Sequence, residues 1–81
     1  MNYNVQWSAE AENELMRVWL AASNRRAVTD AVNRLEKGLK TAPRELGESR
    51  YDERRIAFEP PIAISFDVSA NLVKVLNLWH F

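Results

Sequence analysis

The chain has 81 residues, with no cysteine and one histidine, and its 11 basic and 11 acidic residues cancel to a formal net charge of zero. This length suits one domain, residues 1–81, built around one two-layer core. The lack of cysteine excludes a disulfide framework, a thiolate metal site and a cysteine nucleophile, and the neutral balance argues against a broadly basic nucleic-acid surface.

No apolar run reaches the roughly 18 residues of a membrane span. Met1-Asn2-Tyr3-Asn4 has neither a basic start nor an apolar signal core, so the expected compartment is the cytoplasm, with no membrane contact. A lone histidine without cysteine makes a poor metal site, and neither a metal nor another cofactor is expected. The charge is unevenly spread. Glu10, Glu12 and Glu14 make an acidic start, whereas Arg25-Arg26, Lys37/Lys40 and Arg50/Arg54/Arg55 form basic clusters.

Residues 3–7 alternate, so Tyr3, Val5 and Trp7 share one face of a strand and read as core. Ser8 stands where a helix N-cap belongs, and Glu10 and Glu12 follow with the sign that end of a helix prefers. Ala11, Leu15, Val18, Trp19 and Ala22 form one stripe, which predicts an amphipathic helix over about 9–22. Ser23-Asn24 breaks the pattern and offers the next cap. Val28, Ala31, Val32, Leu35 and Leu39 predict a second helix over 25–41, ended by Pro43. Arg25 and Arg26 open that helix at the wrong end for positive charge, which salt bridges to acidic neighbours would explain. The short connection predicts an antiparallel hairpin with both stripes facing one sheet.

Residues 43–50 read as a loop, and strands follow at about 51–59, 62–68 and 72–81. In the first of these Arg54, Ile56 and Phe58 share one face and Arg55, Ala57 and Glu59 the other. Pro60-Pro61 marks a turn, because proline donates no ladder hydrogen bond. Ile62, Ile64, Phe66 and Val68 alternate with small or polar Ala63, Ser65 and Asp67. The last strand is apolar on both sides, Val73, Val75 and Trp79 alternating with Leu76 and Leu78. It is therefore expected to be central or to lie under a partner. Trp19 and Trp79 fit apolar stripes and are expected in the core. The predicted class is α+β, in the order β-α-α-β-β-β, with an antiparallel helical hairpin packed on a mainly antiparallel sheet.

Several residues in that order carry a resemblance. Val5-x-Trp7-Ser8-x-x-Ala11 runs from strand into helix with Leu15 below it, and Leu39-x-x-x-Pro43 with Gly47 follows the second helix. Arg54-Arg55-Ile56 opens the next strand, Phe66 lies in the following one, and His80 stands near the end of the last. The set resembles the RelE/ParE toxin superfamily of bacterial type II toxin–antitoxin systems. What the resemblance implies is a cognate antitoxin as partner, wrapping the toxin and blocking its active face. It implies first an mRNA interferase that cleaves message on the ribosome without a metal. A ParE-like inhibitor of DNA gyrase, or a non-toxic binding member with eroded catalytic positions, are the alternatives.

Attack of a ribose 2′-OH on the neighbouring phosphate needs a proton acceptor, cations on the phosphate oxygens and a proton donor to the leaving oxygen. Arginine suits phosphate through its planar fork, and histidine suits proton transfer near neutrality. Carried over from the resemblance, Arg55 or Arg54 is the phosphate cation and His80 the acid or base. Glu48, or Glu45, stands where some members place a carboxylate. The chain also departs from the pattern. The third of these strands has no arginine and carries Phe66 in place of a tyrosine, and the closing aromatic is Phe81, which moves no proton. A neutral chain also neutralises fewer phosphates, which weakens binding to RNA.

Overall fold

The computed structural model describes residues 2–51 and 53–81. Met1, and Asp52 of the expected strand at 51–59, lie outside the described residues. In chain order the elements are β1 (Asn4–Trp7), α1 (Ala9–Ala21), α2 (Arg25–Thr41), a 3-10 turn (Pro43–Glu45), β2 (Glu48–Tyr51), β3 (Arg54–Glu59), β4 (Ile62–Ser69) and β5 (Leu72–His80). The strands form one sheet in the order β1-β5-β4-β3-β2. Only the β1–β5 pair is parallel among the described strands, and the two helices cover one face. The α+β hairpin-on-sheet class is the one expected. The difference lies at residues 43–50, where a 3-10 turn and a short edge strand replace the loop. Glu48 to Tyr51 are all exposed, so this edge strand has no apolar alternation to announce it.

Each helix starts on the cap expected. The Ser8 side chain accepts from the Ala11 backbone N–H, and Asn24 accepts from that of Ala27. From α2, Val28, Ala31, Leu35 and Leu39 are buried, and from the sheet so are Ala57, Ile62, Ile64, Phe66, Val68, Val73, Val75 and Leu78. Helix α1 contributes only Ala11 as a fully buried residue, with Leu15 and Val18 packed at the margin. No helix among the described residues is long and apolar enough to cross a membrane.

The Arg25 problem resolves in three dimensions. Its Nε and Nη2 donate to the Trp19 and Leu20 carbonyls, each at 3.1 Å. The guanidinium is thus misplaced for α2 but well placed for the C-terminal end of α1, where carbonyls lack helical partners and positive charge is favoured. Arg26 makes a looser contact with Asp30, 3.9 Å, one turn along α2.

Strand β1 spans only half of β5. Its pairing runs from Asn4 with Leu72 to Trp7 with Val75, and there the chain leaves the sheet. Ser8 makes the exit. Its N–H donates to the Val75 carbonyl at 2.9 Å, and its hydroxyl donates to the Leu76 carbonyl at 2.7 Å. At the same point the β4–β5 register shifts: Val75 faces Phe66 but Asn77 faces Ser65, which leaves Leu76 as the extra residue of a bulge.

Two substitutions test this frame by urea unfolding. Ser8→Ala removes both the cap and the donor to the bulge carbonyl, and should cost about 1–2 kcal/mol. Gly47 has φ +71°, and a Cβ there would sit 2.2 Å from the Ile56 carbonyl oxygen. Gly47→Ala should therefore cost on the order of 3 kcal/mol.

Candidate functional site

Strand alternation and register sort every sheet residue into cross-strand rows. Phe66 and Val75 are buried under the helices, so their row, Ser49–Arg55–Phe66–Val75–Trp7, belongs to the covered face. The other, open face carries the row Asn4–Leu72–Ser69 at one end and three further rows. The first is Tyr51–Arg54–Asp67–Lys74–Gln6, the second Glu48–Ile56–Ser65–Asn77, and the third Phe58–Ala63–Trp79.

The two arginines therefore separate. Arg55 points to the covered side, where its Nε donates to the Leu46 carbonyl at 2.9 Å and its Nη2 to that of Gly47 at 3.1 Å. It fastens β3 to the segment leaving the 3-10 turn and is not free to take a phosphate. Arg54 points to the open face. Its Nε donates to Asp67 Oδ1 at 2.5 Å and its Nη2 to Oδ2 at 3.5 Å, and its guanidinium carbon lies 5.7 Å from the centre of the Tyr51 ring. The hydrogen bond to Asp67 raises the Arg54 pKa above its ordinary value, outweighing the opposing effect of desolvation. The cation is thus fixed in its charged state and paired.

His80 does not join it. It faces Ile62, on the covered side and at the far end of β4 from Asp67. Five residue steps along β4 separate these rows, about 17 Å at the usual rise per residue. Glu48 shares the open face with Arg54, but it is exposed, with an Arg50 Nη2 contact of 3.6 Å. Glu45 ends the 3-10 turn, outside the sheet. Of the residues expected to act together, the fold brings Arg54 and Glu48 to one face and leaves Arg55 and His80 off it.

The bulge at Leu76 corrects one expectation. Simple alternation puts Trp79 with Val73 and Val75, but one extra residue flips the strand, and Trp79 emerges on the open face opposite Ala63. There it flanks small Ala63 on one side as Phe58 does on the other, and Phe81 meets Phe58 edge to face with centroids 5.3 Å apart. Trp19 is also outside the core. It is 38% exposed under the Arg25 guanidinium, beside a groove of about 730 Å³ between α1 and α2. Both tryptophans fit apolar stripes, yet the bulge turns Trp79 to the open face and Trp19 lies at the edge of the helical layer.

The open face thus has a charged end and an aromatic end. Phe58 and Phe81 are 51% and 54% exposed. Sequence reasoning passed over Lys74 and Asp67, which complete the charged row. Their signal was present: Lys74 is a lone charge inside an apolar strand, and Asp67 stands at an outward position of β4.

No protein-family model matches the sequence, and no curated protein does. Solved structures do. One chain of the RelBE2 toxin–antitoxin complex from Mycobacterium tuberculosis superposes with a TM-score of 0.81 at 15% identity, covering 100% of both chains. The chromosomal ParDE toxin–antitoxin system from P. aeruginosa gives 0.76 at 17% identity over 96% of this chain and 95% of the other. The E. coli DinJ-YafQ toxin–antitoxin complex gives 0.65 at 9% identity, over 99% and 93%. The chain has the RelE/ParE toxin fold.

The two arginines should separate in the laboratory as they do in the fold. Arg55→Ala strips two backbone carbonyls of their donor and should cost about 1–3 kcal/mol. Arg54→Ala, which breaks a partly exposed pair, should stay within about 1 kcal/mol in the same denaturation assay.

Proposed function

We propose that this chain is the toxin of a type II toxin–antitoxin pair, and that it acts by binding a protein target through the open face of its sheet, DNA gyrase being the target to test first. The observation that carries this reading is the state of the residues a nuclease would need. Arg54 is neutralised by Asp67, Arg55 is tied to backbone carbonyls, and His80 is on the other face. What the open face offers instead is an aromatic group, exposed Phe58 and Phe81 with half-buried Trp79, beside a polar row that includes an arginine. Aromatic anchors with a polar margin are the composition of protein–protein contacts. The similarity to chains of toxin–antitoxin complexes supports a small antitoxin as the natural partner.

RNA cleavage is the second reading. One observation favours it: Lys74 and Arg54 bracket the Asp67 carboxylate in one cross-strand row, so a base and two cations share a face. Lys74 would then supply the cation that β4 lacks.

Induced expression should arrest growth, and co-expression of the adjacent small gene should relieve it. Purified protein should inhibit gyrase supercoiling and leave ribosome-bound transcripts intact. Phe58→Asp should abolish the arrest while the protein stays folded, and His80→Ala should leave the arrest unchanged. Truncated transcripts, lost in Lys74→Ala, would decide for cleavage.

A further inference from the structure

The charged row on the open face has the layout of an oxyanion site filled from within. Neighbouring strands lie about 4.8 Å apart, so Arg54 on β3 and Lys74 on β5 are roughly 10 Å apart at the backbone, with Asp67 midway on β4. The register puts all three side chains on the same side of the sheet, directly opposite one another. A guanidinium binds carboxylate and phosphate with the same planar fork, and the Arg54–Asp67 pair uses it through both Nε and Nη2. The side chains are 32% and 35% exposed, so this is a partly desolvated pair at the sheet surface rather than two charges loose in water.

We propose that Asp67 determines the ligand class of the open face: its carboxylate holds the position between Arg54 and Lys74 that an external phosphate would take, and so makes the face reject polyanions and accept protein. An internal anion has two advantages over an external one. It gives up no translational freedom to bind. If displaced, it remains beside the incoming phosphate as a like charge. The balance of the face follows from the same residue. Asp67 pairs with Arg54 and faces Lys74 across the strands, so removing its charge frees Arg54 and leaves both cations in that row without a carboxylate between them. This inference rests on the protein-binding reading above and adds the residue that enforces it.

The test is binding of a single-stranded oligoribonucleotide to the full chain, followed by fluorescence anisotropy at roughly 50 mM salt, where phosphate contacts are strong. The wild-type chain should bind weakly. Asp67→Asn should bind about tenfold tighter, the size that one charge-assisted contact supplies, with a steeper salt dependence. Asp67→Ser removes the charge with a different side chain and should show the same gain. Arg54→Gln added to Asp67→Asn should return affinity to the wild-type level. Folded Asp67 variants that bind no tighter than a weakly binding wild type would overturn the role of Asp67 and leave the protein-binding reading standing. Tight binding or cleavage by the wild-type chain would overturn both.

Discussion

The structure depends on what happens at Ser8. Strand β1 pairs with the first half of β5 and then must leave, because the chain has to turn back and cover the sheet with helices. Ser8 resolves three demands at one residue. Its N–H closes the last parallel ladder bond, its hydroxyl oxygen caps α1, and its hydroxyl hydrogen goes to the Leu76 carbonyl, at the residue where the β5 bulge leaves the ladder irregular. Buried backbone groups need partners, and a bulge beside a strand end would otherwise strand one. From that point α1 runs beside the second half of β5, and the bulge has turned Asn77 and Trp79 to the open face.

Charge on this protein is decided by strand parity. Arg54 and Arg55 are adjacent and chemically alike, yet one spans the covered face to hold the segment after the 3-10 turn and the other lies on the open face against Asp67. Neither role is expressed in the net charge of zero. The same sorting puts His80 on the face opposite Arg54, and His80 shares the covered side with Arg55 only in a row four residues further along β4. A catalytic constellation inferred from residue types alone thus comes apart because neighbours in sequence are opposites across a sheet.

The helical layer is unevenly buried. Helix α2 buries four residues against the sheet, and α1 buries one, leaving Met16 and Leu20 62% and 57% exposed. Arg25 compensates at the turn by closing the carbonyl end of α1 from the first residue of α2.

Much of this was legible in the chain itself. Periodicity, the caps at Ser8 and Asn24, and the breaks at Pro43 and Pro60-Pro61 specify two helices, four of the five strands, the α+β class and most of the core, because those signals are local. The edge strand Glu48–Tyr51 was not legible, since exposed strands need no apolar alternation. Trp79, Arg25 and the pairing of Arg54 with Asp67 were not legible either. Each depends on a contact between residues distant in sequence or on a one-residue register shift. Residue types and their order by themselves determined which groups the protein could use. Only the tertiary structure decided which of them meet, because the face a strand residue occupies depends on its partners' register and on a bulge that no local pattern records.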